Sequence, residues 1–554
     1  MDLLKFIFIY TLLILSILGY GIIFSTKLTK YNNFQNKNLS IGYIGIFGIF
    51  ILIFISYLTN FFYPHNNLHN IIIIIIGVIT FFYFLIKKKI KISKYFLFAY
   101  LISFFALFYF KSHDDFSYYH LSLINNITKN KIEFGISHFD IGFNHVSSLF
   151  YFHSLFKTLF TGDYFFQLAQ ISIFIFVNTI IFENVFKIKN KEYLNTSFFL
   201  NIFLIIFLNV FFYRLAEHGT DRSAQILFFL VFILTIDLFD NRKIKKDIFE
   251  LIIILFTLII SIKSFYILYS ILFFFIYFKY FKVNDFLKIF KFFPILYFCC
   301  FILLFTIISN IASSGCLIYP VANTCFDLFF WGYGKQNVIS AMEWYEIWSK
   351  AGATPNYRVE NFSEYLKNFN WVSNWIETYF FNKMSDFLLG TLFVLIIVSI
   401  SFKLKKISID NFKKYSYFFL ILFFLILEWF LNHPSLRYGG YVLFFIFFTF
   451  PVSIMISNQN YKFKNLSKSI KIIFCITIVI FISRNLNRLV DEYLKYNYNF
   501  IKNPYYNVQE NYFTLKNNKK QMFYDISICK EENSIANIKC KRIYGYNFYF
   551  NKNN

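Results

Sequence analysis

The chain has 554 residues, of which 58% are hydrophobic and only 15% are charged. A soluble protein of this length would divide into domains with polar surfaces, so the composition excludes that class. The formal charge of +24 is spread over short loops beside apolar runs and forms no single patch, which excludes a nucleic-acid-binding surface.

Taken in chain order, apolar segments fit to cross a bilayer recur at 6–25, 41–62, 70–86, 94–110, 165–186, 196–213, 224–240, 248–262, 265–281, 292–311, 386–402, 415–431, 439–457 and 469–484. The expected fold is therefore an all-α polytopic membrane protein with about 14 transmembrane helices. The first segment lacks a small-x-small cleavage site and has its basic flank behind it, so it reads as a retained helix rather than a signal peptide. Alternate loops are basic, among them "KKKIKISK" at 87–94, "NRKIKKD" at 241–247 and "KLKKISIDNFKK" at 403–414, whereas "YPHNNLHN" at 63–70 has no Lys or Arg. By the positive-inside rule both termini face the extracytoplasmic side of a bacterial inner membrane. That orientation depends on 248–262 and 265–281 being two helices that reverse at Lys263, and not one long helix.

Three larger segments then lie outside: 111–164, 312–385 and the tail after 484. The first holds "KSHDDFSYYH", with adjacent carboxylates Asp114 and Asp115 and with His113 and His120 on either side, followed by an amphipathic stretch expected to lie along the membrane surface. The second contains "GCLIYPVANTC" and the aromatic, acidic run "SAMEWYEIWSKAG". The tail alternates in "QMFYDISICK" and "KCKRIYGYNFYF", as strands of a small extracytoplasmic appendage would. Cys316 with Cys325, and Cys529 with Cys540, form two close pairs on the outer side, where thiols oxidise to disulfides.

Two shorter outer loops concentrate polar groups: "YRLAEHGTDRSAQ" at 213–225 brings Glu217, His218, Asp221 and Arg222, and "NHPSLRYGGY" at 432–441 brings His433, Arg437 and Tyr438. Their arginines suit either loop salt bridges or phosphate recognition. Lys263, a lone cation at a helix break, is costly unless it meets an anion. Five histidines crowd 111–164 beside acidic residues, which makes a divalent metal a candidate cofactor, although no metal-binding motif is present.

This layout resembles the integral-membrane glycosyltransferases of the GT-C fold, which place acidic residues in the first large extracytoplasmic loop just after a transmembrane helix. Asp114 and Asp115 occupy that place here. The resemblance covers roughly 94–450 and implies a polyprenyl-phosphate-linked sugar donor, a carboxylate that activates the acceptor or binds a metal, and Arg222, Lys263 and Arg437 as contacts to the lipid phosphate. The stretches "GTDRSAQ" and "HPSLRYGGY" are also similar to an uncharacterised bacterial family with this arrangement. In the GT-C family the acidic motif follows the first helix; here it follows the fourth, so residues 1–93 read as an N-terminal addition, 94–484 as the shared core and 485–554 as the tail. Asp114, closer to the helix end, is the expected base or metal ligand, and Asp115 the residue that tunes it. The expected activity is transfer of a sugar to a cell-envelope glycan or lipid acceptor. An O-antigen polymerase or ligase, or a lipid-linked oligosaccharide transporter, fits the same composition.

Overall fold

The computed structural model describes residues 2–29, 40–87, 91–110, 113, 115–161, 167–187, 194–217, 219–241, 245–281, 293–354, 359–402, 404, 409–457, 463–502, 504 and 538–551. It is a helical bundle. Among the described residues ten helices are long and apolar enough to cross a membrane, with shorter apolar helices at Lys94–Leu107, Thr196–Phe211 and Ser264–Tyr280. The principal helices are α1 (Asp2–Thr29), α2 (Ile41–Phe62), α3 (Asn67–Ile86), α4 (Lys94–Leu107), α5 (Leu121–Lys129), α6 (Ser148–Ser154), α7 (Leu168–Phe186), α8 (Thr196–Ile206) and α9 (Thr220–Asp240). They continue as α10 (Lys246–Ile262), α11 (Ile271–Tyr280), α12 (Ile295–Ser314), α13 (Lys335–Lys350), α14 (Ser385–Ser401), α15 (Ile409–Asn432), α16 (Tyr441–Ser457) and α17 (Phe463–Tyr496). Each expected apolar segment is helical over most of its described residues.

In hydrocarbon there is little hydrophobic drive to press one helix on another, so close contact depends on small residues. Glycines supply it among α1, α2 and α3. A Cβ on Gly48 of α2 would lie 1.9 Å from the Ile17 carbonyl oxygen of α1, and one on Gly19 would lie 1.9 Å from that of Gly77 in α3. α2 then reaches the rest of the bundle through Gly45, whose Cβ would fall 2.2 Å from the Phe176 ring of α7. The N-terminal helices are thus packed directly on the helices that follow.

The chain reverses at Lys263. The residue is extended, and the Tyr280 hydroxyl at the far end of α11 donates to the Leu238 carbonyl at 2.5 Å and that of Asn241 at 2.9 Å, beside the end of α9. The two short apolar segments are therefore two helices, as the charge pattern requires.

The segment 111–164 differs from expectation. α5 and α6 do not lie on a lipid surface, because α6 is buried along its length and α5 is buried up to Thr128. Their polar residues have partners inside the protein: Ser147 donates to the Ile262 carbonyl at 2.7 Å, Ser148 meets Ser261 at 2.9 Å and His153 meets Gln170 at 2.8 Å. The tail forms one antiparallel hairpin, β1 (Ile538–Ile543) with β2 (Tyr546–Asn551), turning at Tyr544 and Gly545, both at positive φ. It docks on the segment 111–164: the Tyr549 amide donates to the Phe134 carbonyl at 2.9 Å, and Glu133 accepts from the Asn547 amide at 2.8 Å and the Tyr549 hydroxyl at 3.0 Å. Cys316 and Cys325 are disulfide-bonded. Cys540 is also disulfide-bonded; its expected partner Cys529 and the stretch "QMFYDISICK" lie outside the described residues.

The glycine contacts make a direct prediction. Gly48→Ala must push α1 and α2 apart and should cost about 1–3 kcal/mol. Gly390→Ala, where the new Cβ would meet only the edge of the Phe211 ring at 3.2 Å, should cost less. Thermal unfolding of the two purified variants measures the difference, and equal losses would contradict the tight α1–α2 contact.

Candidate active site

Four charged residues from four separate parts of the chain meet at one end of the bundle. Arg437 Nη2 lies 2.5 Å from Asp115 Oδ2, and Arg437 Nε lies 2.9 Å from Asp221 Oδ2. Lys263 Nζ lies 2.7 Å from Asp221 Oδ1. One guanidinium thus bridges two carboxylates, and the lysine neutralises the second.

Each residue is delivered by a break in helical geometry. Asp115 precedes a π-turn at Phe116–His120, and Arg437 lies within another at Leu436–Gly440. Such wide turns carry one residue more than an α-turn and re-aim side chains. Gly439 permits the second, with φ of 91° and no room for a Cβ, which would fall 2.1 Å from the Tyr269 hydroxyl. Gln225 of α9 splints the same loop, donating to the Arg437 carbonyl at 3.0 Å and accepting from the Val442 amide at 3.1 Å. Asp221 lies in the first turn of α9, where a carboxylate is favoured by the helix dipole. Lys263 caps the end of α10 at the chain reversal, and Asp221 is the anion that offsets its cost.

The site joins the ends of α4 and α10 to the starts of α9 and α16. The opposite end of the bundle holds Asp240 with Lys414 at 2.6 Å and Asp237 with Lys245 at 3.6 Å, beside the basic loops. The cluster therefore stands at the far end from the basic loops.

Its surroundings are aromatic and histidine-rich. His113 Nδ1 lies 3.6 Å from Asp115 Oδ2. Arg437 faces the Trp348 ring at 5.5 Å and the Tyr438 ring at 5.7 Å, and His433 lies 5.4 Å from Tyr438. Helix α13, the "SAMEWYEIW" run, therefore lies over the cluster, and its Tyr345 is tied to His145 at 2.8 Å. His120 Nε2 is buried without a hydrogen-bond partner among the described residues, and Gly219 leaves it space, since a Cβ there would fall 2.4 Å from the imidazole.

Electrostatics set the protonation states. Burial pushes the Asp115 carboxyl up, but Arg437, His113 and His120 together outweigh it and hold the group well below the usual carboxylate range. Burial drives His120 to about 3 and, reinforced by the Lys263 charge, His145 also to about 3. His153 and His433 fall to about 4 for the same first reason, burial. The cluster is thus an ionised network beside neutral imidazoles.

Not all expected residues join it. Glu217 lies in a second network, 2.6 Å from Arg488 of α17 and in contact with Arg214. Arg222 faces the Phe212 ring at 5.1 Å, away from the cluster, and its Nη1 is buried without a hydrogen-bond partner among the described residues. Asp114 and His218 lie outside the described residues. Among the described residues, no group of three or more His, Cys, Asp or Glu side chains converges to hold a metal ion. Sequence reasoning missed Gln225, Tyr345 and Trp348, whose amide and rings carry no spacing signal.

The histidines predict an acid sensitivity. In the unfolded chain each would take a proton near pH 6.5, whereas in the folded protein His120 and His145 resist until about 3 and His153 and His433 until about 4. Below about pH 6.5 the unfolded state binds the extra protons, so stability falls as pH drops, by up to about 1.4 kcal/mol per unit for each group. Thermal unfolding of the purified protein from pH 7 to pH 4.5 should show this fall, shallower in His145→Gln. A flat profile would show that these imidazoles are not buried.

A family model described as a domain of unknown function (DUF8201) matches residues 1–444, which include the cluster and the three N-terminal helices. No curated protein and no solved structure matches the chain. The chain belongs to the DUF8201 family.

Proposed function

We propose that the Asp115–Arg437–Asp221–Lys263 cluster is the reaction centre of a membrane glycosyltransferase of the GT-C type. It would move a sugar from a polyprenyl-phosphate donor to a cell-envelope glycan or lipid acceptor. The observation that carries the reading is Arg437 shared between two carboxylates, with Lys263 on the second, at the bundle end away from the basic loops. The four side chains are 14–27% exposed, so the network is reachable from outside yet only partly hydrated. With the three shorter apolar helices and α10 crossing as well, the chain would have the expected fourteen spans, and the cluster would face the extracytoplasmic side of a bacterial inner membrane.

The chemistry follows from competition for the cations. A carboxylate held by Arg437 is a poor proton acceptor. A donor phosphate that takes Arg437 and Lys263 leaves Asp115 without its main partner, and its proton affinity rises. Asp115 then accepts the proton of the acceptor hydroxyl, that oxygen bonds to the sugar carbon, and the bond from this carbon to the phosphate oxygen breaks. The electron pair stays on the phosphate, where the two cations stabilise it. Asp114, in the same motif, is the alternative base. Two cations suit a diphosphate equally well, which favours the polymerase or ligase as the second reading.

Sugar transfer by reconstituted protein tests this, with a polyprenyl-phosphate sugar and a polyprenyl-pyrophosphate glycan as the two donors. Asp115→Asn should lower turnover by about 10²–10⁴-fold. Arg437→Lys should weaken donor use with the protein still in the membrane, because a lysine cannot span both carboxylates. Glu217→Gln should instead lower the amount of folded protein. Full activity in both Asp115→Asn and Asp114→Asn would overturn the reading, and transfer from the pyrophosphate donor alone would select the second.

A further inference from the structure

A large cleft lies far from the cluster, at the basic end of the bundle. Its volume is about 650 Å³, and it opens between α4, α7, α8 and α17. Phe98, Phe182, Phe186, Phe198, Ile470 and Phe474 form its walls. Their rings interlock around Phe474, which lies 4.9 Å from Phe186, 5.2 Å from Phe182 and 5.7 Å from Phe98. The cleft is therefore held open by ring-on-ring contacts, and side chains cannot close it without breaking them.

Its rim has the opposite character. Lys94 and Lys471, both exposed, line it together with Tyr95 and Ser467. Neither lysine forms an ion pair among the described residues. Lys94 also opens α4, whose first turn carries no acidic residue, so the positive end of the helix dipole adds to the rim. Among the described residues, the carboxylate beside the cleft, Glu183 of α7, is already paired with Lys187 at 3.0 Å.

An apolar slot of this size under two unpaired cations matches one molecule: a lipid with a hydrocarbon chain and an anionic head. We propose that the cleft binds an anionic phospholipid, with acyl carbons among the phenylalanine rings and the phosphate on Lys94 and Lys471. Charge complementarity selects this occupant over a zwitterionic lipid, whose own cation would face the two lysines. It also sets the occupant apart from the substrate of the reaction centre, since α4 places Lys94 at one end of its length and leads to Asp115 at the other.

Native mass spectrometry of the full-length protein, loaded with phosphatidylglycerol or with phosphatidylcholine of the same chains, tests the proposal. The protein should retain one phosphatidylglycerol more firmly than any phosphatidylcholine. The double variant Lys94→Gln/Lys471→Gln should lower that retention by at least about fivefold, by the order of 1 kcal/mol per lysine near an anionic surface. Leu466→Trp, which fills the cleft without touching the charges, should lower it as well. Lys87→Gln/Lys279→Gln, at the same end but off the cleft, should leave it unchanged. Equal retention of the two lipids overturns the proposal, as does a loss in the control double variant as large as in the test variant, which would mark a general basic belt.

Discussion

The arrangement of this end of the molecule depends on one guanidinium. Arg437 spans Asp115 and Asp221, which come from segments that would otherwise repel each other across the gap between α4 and α9. A planar, permanently charged fork can satisfy two carboxylates at fixed angles where an ammonium cannot. The ends of three transmembrane elements are therefore positioned by one side chain, and the backbone around it is built to hold that side chain still. Gln225 holds the Arg437 carbonyl, the Tyr379 hydroxyl accepts from the Leu436 amide at 2.6 Å, and the Trp375 and Trp429 indoles donate to Pro434 and Ser435 carbonyls at 2.8 Å each. Positioning of this kind is what a charged network at a membrane edge requires, because loose charges there would turn to water or headgroups.

Much of the bundle was legible in the sequence because bilayer thickness imposes a length on each helix and the lipid imposes apolar composition. The break at Lys263 could be anticipated from a single cation in an apolar run. What could not be read was which polar loops meet. Asp221 and Glu217 lie four residues apart in one charged loop and look alike in sequence, yet one joins Arg437 and the other Arg488, 271 residues away. Loop charge density shows that a segment leaves the lipid, and nothing in it records a partner several hundred residues distant. The amphipathic reading of 135–160 failed for a related reason: its polar residues Ser147, Ser148 and His153 are paired inside the protein, with the Ile262 carbonyl, Ser261 and Gln170.

The tail shows the same dependence on distant contacts. Alternation in "KCKRIYGYNFYF" identifies a hairpin, but a two-stranded hairpin is marginal alone in water. Phe134 provides a third, short edge, with its ring stacked 4.4 Å from that of Phe548. The Glu133 carboxyl, raised by burial, sits beneath and receives Asn547 and Tyr549. The hairpin is thus a cover over the segment 111–164, the segment that also carries Asp115.

The two ion networks differ most in their burial. The Glu217 side chain is 1% exposed and Arg488 is 7%, while Asp115 is 24% and Arg437 is 27%. The dry pair closes on itself: Arg488 also donates to the Phe105 and Phe108 carbonyls at 2.9 and 2.6 Å, covering the frayed end of α4. Removing either member strands a buried charge, at a cost of about 3–5 kcal/mol, so such a pair belongs to the framework. In the proposed reaction the wetter network would exchange one anion for another without that penalty, since an arriving phosphate would replace the carboxylate that leaves. The His113 amide, which donates to the Glu217 carbonyl at 2.9 Å, joins the two, so the rigid network fixes the backbone two residues before Asp115. A fixed backbone with an exchangeable side-chain partner is the condition that the proposed function requires, under which a carboxylate would be held inactive until a phosphate arrives and would then act in place.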